Sequence, residues 1–282
     1  MRKLILISLT LLVLCSAAAA QQPAPTPGPL TFYYDYAVVP GKEQDFDMLV
    51  KTVGSPVRDR LMAEGVIMAW GIETPILRYP GGTTHLIWFT VANWAGVEKV
   101  LNGMEAHLAK LASTEAVAAR RGGRMMTTAE RARAVFDSTK TRDWLTRDLV
   151  TNFGPPPAAG VLPFIRYNFV KVKPGKAADY RRTWERYNKP VFDKLVADRV
   201  VLAYGLAQEE VKTDGNFTHF VWIATATMAD ADKIGPVFAA DRARRSEKDR
   251  NEITEAFLAA TEPDMARSMV TRSRIFKIAE QK

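Results

Sequence analysis

The chain has 282 residues, 47% of them hydrophobic and 25% charged, a balance that excludes both a disordered chain and a membrane bundle. One Cys and three His exclude a disulfide framework and a structural zinc cluster, so no metal site is expected. The formal charge of +8 comes with no nucleic-acid-binding motif and no interleaving of basic and aromatic residues, so nucleic acid is not an expected partner.

Arg2 and Lys3 precede an apolar run from Leu4 to Leu14, and Ala17–Ala20 supply the small residues of a cleavage site. The run is shorter than the roughly 20 residues a membrane span needs. Residues 1–20 therefore read as a signal peptide cleaved after Ala20, and Leu14 before Cys15 argues against lipid attachment. Export to the bacterial periplasm or the extracellular space is expected, with no membrane association after cleavage. A mature chain without Cys suits an oxidising compartment. Residues 21–29 form a Pro-rich tether, and a second Pro-rich stretch at 153–163 reads as a linker between units 30–152 and 164–282.

The two units are copies. An offset of 134 residues aligns Val38, Pro40, Gly41 and Lys42 with Val172, Pro174, Gly175 and Lys176, and Pro56, Val57, Asp59 and Leu61 with Pro190, Val191, Asp193 and Leu195. Without a gap it also aligns Ala69, Gly71, His85 and Trp88 with Ala203, Gly205, His219 and Trp222.

Each copy reads as strand, helix, strand, strand, helix, strand. Phe32–Val39 and Phe164–Val172 are rich in aromatic and β-branched residues and end at Pro-Gly turns. Tyr180, Trp184, Tyr187, Val191 and Leu195 carry the apolar stripe of a helix, and Pro56 and Pro190 should kink or break the helices that hold them. Val66–Leu77 with Thr83–Ala92, and Val200–Val211 with Phe217–Ala226, form hairpins. Last strands are expected near Trp144–Asn152 and Met269–Ile278, and Asp241–Arg250 reads as a solvated, salt-bridged helix face. The order is that of a ferredoxin-like βαββαβ unit. The third strands, LIWFTV and FVWIAT, are apolar on both faces, so the side turned away from the helices must be covered too. The fold class expected is α+β: two tandem ferredoxin-like units whose sheets face each other as a pseudo-dimer within one chain, with a further homodimer compatible.

Ala203-Tyr204-Gly205 followed by Gly215-Asn216-Phe217-Thr218-His219-Phe220-Val221 resembles the Tyr-Trp-Gly … Gly-Tyr-Thr-His-Ile-Val pattern of the stress-responsive α/β-barrel family. The first copy has Ala69-Trp70-Gly71 and Thr84-His85-Leu86-Ile87. The resemblance implies the dimeric α+β-barrel superfamily, whose members include polyketide cyclases, monooxygenases and haem enzymes. The Tyr and second His of the cyclases fall here on Ile234 and Ala240, or on Val100 and Ala106, so the cyclase pair is not carried over.

The candidate ligand-binding residues are Tyr34, Tyr36, His85, Arg166, Asn168 and His219. The histidines sit in strands apolar on both faces and are read first as structural residues, second as ligand contacts. The first strands differ between copies, with Phe32, Tyr34 and Tyr36 aligned with Arg166, Asn168 and Val170. If this face lines the space between the sheets, that space has a phenolic wall and one cation, which suits an acidic or phenolic aromatic. On that reading Arg166 faces the cavity without a carboxylate partner. If it faces the helices, the argument inverts. Two function classes follow: an exported protein binding a small apolar or aromatic molecule between its sheets without a cofactor, or a barrel enzyme of monooxygenase, cyclase or haem type using His219 or His85. Haem is the minor alternative, for which the helices offer only His107.

Overall fold

Eight antiparallel strands close into one barrel in a computed structural model that describes residues 27–77, 82–120, 126–155, 158, 160–211 and 216–279. The segment 1–20, the tether up to residue 26 and the hairpin tips at 78–81 and 212–215 lie outside the described residues. In the first half β1 (Leu30–Tyr36), β2 (Ile67–Pro75), β3 (His85–Val91) and β4 (Arg142–Phe153) lie in the order β4-β1-β3-β2. In the second, β5 (Phe164–Val172), β6 (Ala203–Val211), β7 (His219–Thr225) and β8 (Thr261–Ile278) repeat it as β8-β5-β7-β6. Strand β8 is longer than its sequence suggests, starting at Thr261 rather than near Met269.

The halves meet at two seams, β2 with β8 and β4 with β6, so the two sheets face each other across the barrel interior. The register reproduces the repeat. Tyr33 lies opposite Trp88 and Tyr167 opposite Trp222, while Gly71 and Gly205 lie opposite the same two tryptophans. These glycines explain the repeated Ala-aromatic-Gly motif. A Cβ on Gly71 would stand 2.7 Å from Trp88 Cζ2, and one on Gly205 would stand 2.5 Å from Trp222 Cε2. Gly71→Ala or Gly205→Ala should therefore destabilise the protein by about 1–3 kcal/mol, read as a lower urea midpoint with a shifted tryptophan emission.

Strand parity divides the core in three. Odd residues of β1 and β5 point into the barrel, where Tyr33, Trp144, Tyr167, Phe169, Phe217 and Phe220 form one aromatic cluster. Tyr33 stacks on Trp144 with ring centroids 3.9 Å apart, so the space between the sheets is a packed core. Each sheet's outer face packs under the helices of its own half.

Over the first sheet run α1 (Glu43–Leu49), a π-turn (Val50–Gly54), α2 (Ser55–Ala63), the long α3 (Trp94–Arg120) and α4 (Thr128–Val135). Over the second run α5 (Ala177–Tyr187), α6 (Lys189–Ala197), α7 (Met228–Asp232), α8 (Ile234–Arg244) and α9 (Glu247–Ala260). Pro56 and Pro190 act as expected. Each sits in the first turn of its helix, where its missing N–H is harmless, and the break before Pro56 takes the form of the π-turn. The stretch Asp241–Arg250 is a corner rather than one continuous face. Helix α8 ends at Arg244, Arg245 pairs with Asp241 at 2.7 Å, and Ser246 caps α9 by accepting from the Asp249 amide.

Candidate functional site in the first helix–sheet space

Even residues of β1 and β5 point outward, so Tyr34 and Tyr36 face the helices of the first half. Arg166 and Asn168 occupy the matching outer face of the second half. Arg166 is exposed, and its Nε donates to Asn168 Oδ1 at 3.0 Å, an atom that also accepts from Ser268 Oγ at 2.8 Å. The expectation that Arg166 and Asn168 face the space between the sheets is corrected by one residue of register, which moves every side chain of a strand to the other face. Tyr33, Asp35, Tyr167 and Phe169 hold the inward positions instead.

His85 and His219 are likewise outward, one under each helix layer, and are not brought together. The His85 ring lies 4.7 Å from the Phe46 ring and the His219 ring 5.3 Å from Tyr180. In each, Nδ1 bonds the hydroxyl of the preceding threonine at 3.0 Å. His219 Nε2 is buried without a hydrogen-bond partner among the described residues, and burial pushes its pKa down to about 4, so the ring is neutral at physiological pH.

The residue that sequence reasoning missed is Arg58. It stands on α2 under the first helix layer, 4% exposed, and its Nε and Nη1 are buried without a hydrogen-bond partner among the described residues. Ser55 Oγ, one turn earlier, is in the same condition. Burial pulls the Arg58 pKa down, while Tyr36, Tyr34 and Asp59 act to raise it. Burial in turn raises the pKa of both tyrosines against the pull of Arg58, so both keep their protons at neutral pH. Asp59 is turned elsewhere: it accepts from Trp70 Nε1 at 3.2 Å and from Lys277 Nζ at 2.7 Å. The Trp70 ring, 5.8 Å from Arg58 Cζ, offers a cation–π contact. Gly54, the last residue of the π-turn, leaves room for the guanidinium, because a Cβ there would collide with Arg58 Nη1.

Under the 134-residue offset Arg58 falls on Phe192, Gly54 on Asn188 and Met104 on Phe238. In the second half Phe192 packs on Tyr204 at 5.0 Å and on Phe238 at 5.1 Å, filling that helix–sheet space with rings. The signal for Arg58 is thus legible: a cation replaces an aromatic residue between Val57 and Leu61, on an apolar helical stripe. On α3, Val97, Val100 and Met104 continue into His107, whose Nε2 is also buried without a partner among the described residues.

A second set of polar groups lies inside the barrel. Glu73 is fully buried and accepts from Trp88 Nε1 at 2.5 Å, Thr271 Oγ1 at 2.5 Å and Tyr167 Oη at 3.0 Å. Asp148 accepts from the Trp222 indole. Burial drives both carboxyls up to about 7 despite these donors. The Glu73 site is enclosed by Trp88, Tyr167 and Thr271, which makes it structural.

The sequence matches no family model, and no curated protein sequence matches it. Solved structures do share the fold. A candidate monooxygenase from Fusobacterium nucleatum subsp. nucleatum aligns with a TM-score of 0.55 at 10% identity, over 89% of this chain and 95% of that one. Another from Lactobacillus acidophilus gives 0.56 at 11% identity, over 89% and 97%. A haem-binding protein from Thermus thermophilus gives 0.50 at 11% identity, over 88% and 91%. At such identities the likeness is one of fold. The chain is an α+β barrel of the dimeric type, with both ferredoxin-like halves in one polypeptide.

The rings of Phe46 and Tyr180 pack against His85 and His219. His107 lies on the α3 stripe whose Val97 and Val100 are buried in the first-half core.

Proposed function

We propose that this is an exported binding protein that holds a small aromatic molecule in the helix–sheet space of its first half. The observation that carries the reading is the divergence of the two copies at matched positions. The second half fills its space with Phe192 and Phe238, whereas the first places Arg58, Gly54 and Met104 there, beside the half-buried phenols of Tyr34 and Tyr36. Location outside the cytoplasm rests on the basic-apolar-Ala pattern of residues 1–20, and the motif around His219 supports kinship with stress-responsive α/β barrels. The barrel-enzyme reading draws on the names of the fold neighbours and on the free Nε2 of His219.

The test uses the copies against each other. Met104→Phe gives the first space the residue of the second and should abolish binding of single-ring aromatics, scored by thermal shift and by isothermal titration. Phe238→Met should leave that binding intact. Equal loss from both variants, or from neither, places the ligand elsewhere. Recovery of a chain beginning at Gln21 from the periplasmic or culture fraction tests export.

A further inference from the structure

We propose that the molecule bound in the first helix–sheet space is a carboxylic acid, and that its carboxylate is taken by the buried guanidinium of Arg58. This rests on the binding site assigned above and adds the chemistry of its occupant.

A guanidinium removed from water needs an anion or several acceptors, and leaving one unpaired costs several kcal/mol. Packing does not demand the arginine, because the same frame accepts Phe192 in the other copy. The nearby carboxylates do not serve it. Asp59 is engaged by Trp70 and Lys277, and Asp143, across from Tyr34 on β4, is exposed to solvent. The Trp70 face compensates only part of the charge, since a cation–π contact contributes about 0.5–2 kcal/mol. Nε–H and Nη1 point to different sides of the planar guanidinium, so each is a separate charged donor to which a carboxylate oxygen can bond. Ser55 Oγ, one helical turn before Arg58, is a further donor left unused in the same layer. The phenols of Tyr34 and Tyr36 supply polar contacts, and the ring ladder of Phe32, Tyr34 and Phe89 supplies the aromatic wall. Together these groups select one flat ring bearing one acid group.

The experiment compares 4-hydroxybenzoate with its neutral counterpart 4-hydroxybenzyl alcohol, using the full mature chain. The acid should bind roughly 10- to 100-fold more tightly, the worth of a charge-assisted hydrogen bond. Arg58→Met should remove that preference without abolishing binding of the alcohol. Arg58→Phe, which copies the residue at the matched position, should raise the melting temperature of the ligand-free protein, because an unpaired buried charge is gone. Equal affinity for acid and alcohol in the unmodified protein overturns the carboxylate assignment while the aromatic site stands. If neither probe binds and Arg58→Phe lowers the melting temperature, Arg58 is a structural residue and both readings fall. Inorganic phosphate binding as tightly as the aromatic acid would also overturn it, by showing a site for small anions.

Discussion

Raising the pH from about 5 to about 8 should lower the melting temperature of this protein by roughly 10 °C, the reverse of what surface salt bridges would give. Glu73 and Asp148 titrate at about 7 inside the barrel against ordinary values of 4.5 and 3.8. An unfolded chain releases these protons near pH 4 and the folded one holds them to about 7, so the folded state binds more protons across that interval. Their stabilisation is complete below the unfolded values, is lost as pH rises to about 7, and changes no further above it. His219 works the other way. Its pKa falls from 6.5 to about 4 on folding, so it adds stability as pH rises from about 4 to 6.5. Two carboxyls against one imidazole leave a net loss on the order of 3 kcal/mol between the two pH values. Calorimetry across the range checks the sign. Glu73→Gln, which keeps the shape and an acceptor without the charge, should remove most of the net slope, because the remaining Asp148 carboxyl is then nearly offset by His219. A stability that rises steadily from pH 5 to 8 would show that both carboxyls are ionised in the folded barrel throughout.

The architecture is legible in the sequence because three signals agree: the constant offset, the Pro-Gly turns, and third strands apolar on both faces. The last of these is the physical signature of a sheet packed on both sides, and it points to the pseudo-dimer by itself. The site is less legible for a reason specific to strands. Tyr34 and Tyr36 stand out, but which face they occupy depends on a one-residue parity that a strand apolar on both sides cannot reveal. Arg166 draws attention ahead of Arg58 because a cation in a strand is conspicuous, while a cation in a helix reads as an exposed position. Only the comparison with Phe192, buried in an aromatic stack, shows that position 58 faces inward. Glu73 leaves a similar trace, since it falls on Ala207 in the other copy.

The largest effect is expected when the halves are separated: residues 30–152 alone should not yield a stable monomer. The fragment would expose the inward faces of Tyr33, Leu86, Trp88 and Trp144, together with two open strand edges at β2 and β4. It would also lose the ion pair of Arg147 with Glu210, at 2.5 Å across the β4–β6 seam. Self-pairing of the fragment is opposed by how the acids are distributed. On the last strands Trp144, Thr146 and Asp148 of β4 match Met269, Thr271 and Ser273 of β8, through their registers with β1 and β5. At one seam Glu73 therefore faces Ser273, and at the other Ala207 meets Asp148. Among the described residues each seam thus has one buried carboxyl, accepting from one tryptophan. Two copies of the first half would set Glu73 against Asp148 at both seams, burying like charges or forcing a shared proton. Two copies of the second half would set Ala207 against Ser273 and leave the Trp222 indole without its carboxyl. The single chain is therefore the arrangement in which each donor has one acceptor. Light scattering should find fragment 30–152 aggregated at pH 8, with a dimer favoured at pH 5, where the carboxyls are protonated. Asp148→Ser in the fragment copies the β8 residue, removes the clash and should give a dimer at both pH values. A monodisperse monomer of the unmodified fragment at pH 8 would refute the claim that each half depends on the other, and failure of Asp148→Ser to restore dimers would refute the role given to the seam acids.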